Sequence, residues 1–154
     1  MKASPRPTQS VNTGTETILA TLPNDDSSHA YDPVGAINYA LQHNNAYNPD
    51  YPTYQGLGGD CTNFVSQAIY EGGNASLYIP NPLPPPSPNG QSGWYLLNEG
   101  QRATDWNDVG GFYDFVTNDG FPTEGPEGSD VPINNLMLGD VIEYDLEGDG
   151  YIWQ

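Results

Sequence analysis

Apolar residues repeat at helical spacing in the first half of the chain, and start and stop signals bracket each repeat. Asp32 and Pro33 form an N-cap and first-turn pair ahead of apolar residues at 34, 37, 40 and 41. This pattern predicts a helix that begins at Pro33 and ends at about His43. A second stripe, at 64, 65, 68 and 69, follows Asp60 and ends at a glycine pair. It predicts a helix that begins at Cys61 with Asp60 as its N-cap.

The second half of the chain gives weaker signals for regular structure. A third helix is predicted over about 107–118, with Trp106, Phe112 and Val116 buried and a glycine pair weakening it. The run LGDVIEYD predicts a strand over about 140–145, EGDG a turn, and YIWQ the start of a second strand. Residues 80–90 and 119–134 are rich in Pro, Gly or acidic residues and are predicted to be loops.

These elements predict one α+β domain over 31–154, with the C-terminal part of its sheet missing from the chain. Residues 1–30 are rich in Pro, Thr, Ser and Asn and carry a single short apolar cluster, so we interpret them as a flexible tail or linker.

Charge and composition narrow the classes of function. The chain has 20 Asp and Glu residues against three Lys and Arg, a formal net charge of -17. A field of this sign repels phosphate, so nucleic acids and anionic membrane surfaces are not expected as partners. The simpler explanation of the acidity is solubility. The sequence has no apolar run long enough to span a membrane, and its start does not resemble a signal peptide.

The single cysteine has two possible roles, a nucleophile or a small packing residue. Cys61 is predicted in the first turn of a helix, where free N–H groups and the helix dipole favour a thiolate. Gly58 and Gly59 before it permit a tight turn and a close substrate approach, and nearby N–H groups could face an oxyanion. Free cysteines are, however, among the most buried residue types, and no base is visible beside this one.

Several segments match one known family. They are Tyr31-Asp32 with Ala36 and Ala40, Asn48-Pro49 with Tyr51, GGDCTNFVSQ at 58–67 with Gly72-Gly73, Trp94, Trp106 with Phe112-Tyr113, and Leu138-Gly139-Asp140. Together they resemble the putative amidase domain family, a bacterial group related to papain-like and NlpC/P60-like cysteine hydrolases. GDCTNFVSQ is the specific part of the match, and the other segments support it.

The resemblance implies a papain-like (NlpC/P60-like) fold and a cysteine-dependent amide hydrolase in which Cys61 is the nucleophile. The implied substrates are peptides or other amides, with cell-wall (peptidoglycan) peptides among them, and the implied location is extracellular or in the cell envelope. The family's base is a histidine after the strand that follows Gly139-Asp140, whereas no histidine follows His43 here. His29 and His43 do not match that position, so we expect the base beyond Gln154 and expect the isolated chain to be inactive.

Further residues are weaker candidates for the site. Gln55 stands where a papain-like glutamine would line an oxyanion hole, or it is a loop residue facing water. Asp60, Thr62, Asn63 and Gln67 lie in the signature and could shape the site. The alternative for Asn63 and Gln67 is that they only satisfy buried backbone groups, and the alternative for Asp60 is the helix cap. Trp94, Tyr95 and Trp106 could line a substrate cleft or pack in the core.

Other patterns indicate neither a cofactor nor a metal site. DLEGDG at 145–150 resembles half of a calcium loop, but a hairpin turn explains the same residues. Asn74-Ala75-Ser76 matches a glycosylation acceptor, which matters only in a eukaryotic secretory context. The main rival to an enzyme is a non-catalytic binding or structural module of the cell envelope with an acidic, aromatic-rich surface.

Overall fold

The computed structural model describes residues 31–54, 60–86, 92–117 and 124–144 of the 154-residue chain. The elements, in chain order, are helix α1 (Pro33–His43), helix α2 (Cys61–Gln67) with a π-helical turn (Ala68–Gly72), strands β1 (Leu96–Asn98) and β2 (Gln101–Arg102), a 3₁₀ turn (Thr104–Trp106), helix α3 (Val109–Thr117) and a 3₁₀ turn (Ile133–Asn135). Helices and one small antiparallel sheet give an α+β composition. The predicted boundary at residue 30 lies outside the described residues and stays a prediction.

Helix α1 begins as the sequence predicts. Oδ1 of Asp32 accepts hydrogen bonds from the backbone N–H groups of Val34 and Gly35, both at 3.0 Å. This satisfies two of the N–H groups that a helix leaves without partners in its first turn. Pro33 occupies the first helical position, where its missing N–H costs nothing.

Helix α2 begins at Cys61 as predicted, but the predicted cap is wrong. The side chain of Asp60 makes no capping hydrogen bond to the helix. Its Oδ1 instead accepts from the backbone N–H of Tyr54 at 3.1 Å and from Nδ2 of Asn63 at 2.8 Å. Those two donors hold the carboxylate in the interior, so the backbone N–H groups of the first turn receive only the backbone carbonyl of Asp60, which accepts from Phe64 at 2.9 Å.

Helices α1 and α2 run antiparallel and cross at glycines. Gly35 lies against Gly72, and one turn further along α1 the hydroxyl of Tyr39 donates to Oε1 of Gln67 at 2.9 Å. A Cβ on Gly35 would overlap the carbonyl oxygen of Gly72, and a Cβ on Gly72 would lie 2.8 Å from the Cα of Ala36. The backbones can approach this closely because neither glycine carries a side chain.

The core lies between α2, the antiparallel pair of strands β1 and β2, and α3. Trp94 and Trp106 are 0% and 1% exposed, with ring centres 4.9 Å apart. Ile69 from the π-helical turn and Phe112 and Phe115 from α3 complete one apolar cluster. Burial of large aromatic rings supplies much of the hydrophobic stabilisation in a chain with few aliphatic residues.

The third helix is shorter than predicted because a 3₁₀ turn precedes it. Trp106 belongs to that turn, and Oδ1 of Asp108 accepts from the N–H of Gly111 at 2.8 Å at the start of α3. Phe112 is buried as predicted, but Phe115 is the second fully buried residue of α3, and Val116 is only half-buried.

The strand predicted over about 140–145 is wrong for the part that the structure describes. Residues 140–144 form no ladder, and the side chains of Val141, Ile142 and Tyr144 are exposed. A strand forms where a neighbouring strand takes its hydrogen bonds, and alternation alone cannot supply that neighbour. The predicted turn and YIWQ strand lie outside the described residues.

The observed sheet lies elsewhere, in a region that the sequence pattern did not identify. Strands β1 and β2 pair antiparallel, and Tyr78 and Trp94 exchange two backbone hydrogen bonds of 3.0 Å as an isolated bridge.

None of the helices in the described ranges is long and apolar enough to cross a bilayer.

We predict that Gly35→Ala lowers the free energy of unfolding by about 1–3 kcal/mol, since the new methyl group overlaps backbone that cannot move aside cheaply. Gly110→Ala in α3 is the matched control, because its Cβ meets only Oδ1 of Asp108 at 3.6 Å. Its stability should be unchanged or raised by up to about 1 kcal/mol. Urea unfolding measures both changes, and equal effects of the two substitutions would exclude a tight helix crossing.

Candidate functional site around Cys61

Cys61 is a free, exposed cysteine at the first position of α2. Its neighbour Asp60 is 8% exposed, and Asn63, two residues further on, is 1% exposed. The thiol therefore stands at the surface on a helical turn whose other side is fixed in the interior. This geometry excludes the packing role that the sequence left open for Cys61.

Asn63 holds this turn in place through three hydrogen bonds. Its Nδ2 donates to the carbonyl oxygen of Pro52 at 3.0 Å and to Oδ1 of Asp60 at 2.8 Å. Its Oδ1 accepts from Nε1 of Trp106 at 2.9 Å. The buried amide thus joins α2 to the segment before it and to the 3₁₀ turn far along the chain. Buried polar groups stabilise a fold when they are satisfied in this way and cost stability when they are not.

Ser66 lies one turn after Asn63 and adds two further buried hydrogen bonds between α2 and the core. Its hydroxyl donates to the carbonyl oxygen of Trp106 at 2.8 Å and accepts from Nε1 of Trp94 at 3.2 Å. The sequence pattern assigned no role to Ser66. The available signal was the spacing, because polar residues at 63, 66 and 67 fall on the inner side of a helix with apolar neighbours.

Gln67 packs toward α1 and is 3% exposed. Its Oε1 accepts from the hydroxyl of Tyr39, which in turn accepts from Nδ2 of Asn48 at 3.0 Å. Gln67 therefore anchors α1 to α2, and Asn63 anchors α2 to the core. Both side chains satisfy buried polar groups, which is the alternative that the sequence left open for them.

Trp94, Tyr95 and Trp106 are 0%, 0% and 1% exposed and do not line an open cleft. Tyr51 stacks on Trp106 with parallel rings 6.3 Å apart, which encloses the indole further. The cleft role expected as one alternative fails because these rings present no surface to a substrate. Thr62 is half-buried beside Cys61, and Gln55 lies outside the described residues.

Two buried polar atoms near Cys61 have no hydrogen-bond partner among the described residues. They are Oδ2 of Asp60 and the hydroxyl of Tyr54, whose side chain is 7% exposed. The ring of Tyr54 lies under the guanidinium of Arg102, whose carbon is 4.8 Å from the ring centre. Burial is the main cause that raises the pKa of Tyr54; Arg102 lowers it, and Glu99 and Asp60 raise it. The phenol therefore stays protonated at neutral pH.

The described ranges contain one histidine, His43, and the sequence pattern does not support it as the base. His43 is half-buried at the end of α1, and its ring packs on Tyr39 with centres 4.5 Å apart. His29 lies outside the described residues. In the described ranges, no group of three or more His, Cys, Asp or Glu side chains could hold a metal ion.

Two carboxyl groups away from Cys61 have raised pKa values. Burial, with a contribution from Asp108 and Asp114, raises the pKa of Asp105 to about 6, although the N–H of Gly93 opposes the shift. Burial and the neighbouring Asp130 raise the pKa of Glu143 to about 7. Both groups lie on the α3 side of the fold, and their raised pKa values make the free energy of unfolding depend on pH.

Residues 30–152 match the family described as "Putative amidase domain". The chain belongs to this amidase domain family. Family membership suggests an amidase-like hydrolase acting on an amide.

One relative shows the same domain in a longer chain. The "Uncharacterized protein YhbB" of Bacillus subtilis (strain 168) is 32% identical over 120 residues, which cover 78% of this chain and 34% of the relative. The chain thus matches about a third of that relative's length. No solved structure matches the chain.

We predict that Ser66→Ala lowers the free energy of unfolding by about 1–3 kcal/mol, because the buried N–H of Trp94 loses its acceptor. The exposed Ser129→Ala is the matched control and should change stability by less than about 0.5 kcal/mol. Urea unfolding of both variants makes the comparison. If Ser66→Ala is as stable as the control, the hydrogen bonds of Ser66 contribute no net stability.

The raised pKa of Asp105 predicts a pH dependence of stability. Its carboxyl keeps a proton up to about pH 6 in the folded state and up to about pH 4 in the unfolded state, from a reference pKa of 3.8. Between these values the folded state binds more protons, so the unfolding free energy contributed by Asp105 falls as pH rises. Asp105→Asn should flatten this part of the profile, as measured by urea unfolding between pH 4 and pH 7. Parallel profiles for the parent and the variant would disprove the assignment.

Proposed function

We propose that this domain hydrolyses amide bonds through nucleophilic attack by Cys61. The observation that carries the proposal is an exposed thiol on a turn whose buried side is fixed by Asn63, in a chain of the amidase domain family. A fixed helical turn supports catalysis because a nucleophile acts efficiently only when it is held near its attacking position.

The proposed reaction has two steps. Sγ of Cys61 attacks the amide carbonyl carbon, the C–N bond breaks, and the amine leaves with a proton while a thioester forms. Water then attacks the thioester carbon, releasing the carboxylic acid and restoring the thiol. Backbone N–H groups at the start of α2 are the proposed donors to the oxyanion in both steps.

The base in this proposal is a histidine in the position that the family resemblance implies, later in sequence than the strand after Gly139-Asp140. His43 packs against Tyr39, and no histidine follows it in these 154 residues. We therefore assign the role of base to no described residue and propose that the family's histidine takes the proton of Cys61. A papain-like fold is part of this proposal.

The proposed substrates are peptides or other amides, with peptidoglycan peptides among them, and the proposed location is extracellular or the cell envelope. The rival hypothesis, a non-catalytic envelope module with an aromatic-rich surface, loses support from the burial of Trp94, Tyr95 and Trp106. We therefore favour the enzyme.

Cys61→Ala should abolish amine release from peptide amides and muropeptides, because it removes the sulfur that forms the proposed thioester. Its unfolding free energy should stay within about 0.5 kcal/mol of the parent, since the thiol is exposed. Chromatography of the released amine measures turnover, and Ser129→Ala serves as the active control. Turnover that survives Cys61→Ala would refute the nucleophile.

A further inference from the structure

Arg102 is the only Lys or Arg among the residues that the structure describes, and none of the described carboxylates forms an ion pair with it. Its Nε donates to Oδ1 of Asn107 at 3.2 Å, and its Nη1 donates to the carbonyl oxygen of Glu99 at 2.8 Å. The ring of Tyr54 supports the face of the guanidinium. All three partners are neutral groups.

This arrangement is unexpected in so acidic a chain. A guanidinium is charged at every relevant pH, and a half-buried one gains from a carboxylate partner. The chain has 20 carboxylates to offer, yet Arg102 is held by an amide, a carbonyl and a ring. Its orientation is thus fixed while its charge is left available to an external anion.

Arg102 is tied to the turn that presents Cys61 by two routes. Through the Tyr54 ring it reaches a residue whose backbone N–H bonds to Asp60, immediately before the cysteine. Through Asn107 it reaches the residue after Trp106, whose indole bonds to Asn63. Both routes therefore connect the guanidinium to Asp60 and Asn63, the buried residues that flank Cys61.

We propose that Arg102 binds a carboxylate of the substrate, so that the preferred amides are those of peptides bearing a free carboxylate near the bond that is broken. This inference rests on the proposed function of Cys61. The surrounding negative field repels anions, and a fixed guanidinium provides the place where a carboxylate is accepted. A planar fork also suits the two oxygens of a carboxylate better than a point charge does.

The test compares two probes that differ only in this charge. Acetyl-Ala-Ala with a free carboxylate and acetyl-Ala-Ala-amide are titrated into Cys61→Ala, where turnover cannot interfere, and binding is followed by NMR. We expect the carboxylate form to bind about tenfold or more tightly, as for a charge-assisted hydrogen bond. Adding Arg102→Gln should abolish the difference between the probes.

Two further variants separate recognition from packing. Arg102→Lys keeps the charge and loses the fork, so it should keep the preference for the carboxylate form but bind it more weakly. Tyr54→Phe keeps the ring under Arg102 and removes a hydroxyl without a described partner, so it should keep the full preference. Its stability should be equal or higher.

Equal binding of the two probes, failure of both to bind, or a preference that persists in Arg102→Gln would overturn the inference. None of these results depends on turnover, so the proposal for Cys61 would stand or fall separately. Conversely, hydrolysis that survives Cys61→Ala would refute the nucleophile and leave a measured carboxylate preference intact.

Discussion

The buried amide of Asn63 is the contact on which the site depends. It joins Pro52, Asp60 and Trp106, which lie on three segments separated along the chain. An amide in the interior stabilises a structure only when its donors and acceptor are all used, as they are here. The turn that starts α2 is therefore held in one position, and Cys61 is carried on its outer side.

The contact between α1 and the π-helical turn that continues α2 depends on the absence of side chains. Gly35 and Gly72 let α1 approach α2 more closely than any larger residue would allow, and the Tyr39–Gln67 hydrogen bond sets the register of the pair. Hydrogen bonds thus hold α2 to the core and to α1, and close backbone contact holds the π-helical turn after it to α1. Together they hold α2 in place and leave Cys61 exposed at its start, the arrangement on which the proposed covalent catalysis depends.

The sequence predicted those parts of the fold that local chemistry decides. The start of α1 follows from Asp32 and Pro33, and the start of α2 from the apolar stripe that begins at Phe64. Asp60 shows where local reasoning stops, because a residue with the right type and position for a cap is used instead to hold Tyr54 and Asn63. The choice between these uses depends on partners that are distant in sequence.

The same limit applies to the sheet and the site. LGDVIEYD alternates as a strand should, but its described residues find no partner strand, whereas the short β1–β2 pair forms where alternation is weak. The signature around Cys61 predicts a nucleophile, which stays a prediction, while the buried roles of Asn63, Ser66 and Trp106 required the tertiary structure. In the sequence, Arg102 is only a rare basic residue. Its proposed role in binding a carboxylate is inferred from its neutral partners in the structure.

We propose that the fold, more than the cysteine alone, makes Cys61 an effective nucleophile. Mass spectrometry of the protein after brief exposure to p-nitrophenyl acetate can test this directly, by comparing acyl-thioester formation on Cys61 in the folded chain and in the urea-unfolded chain at the same pH. We expect acylation of Cys61 to be faster in the folded chain, where the thiol lies at the start of α2, than in the unfolded chain. Equal or slower acylation on folding would contradict it.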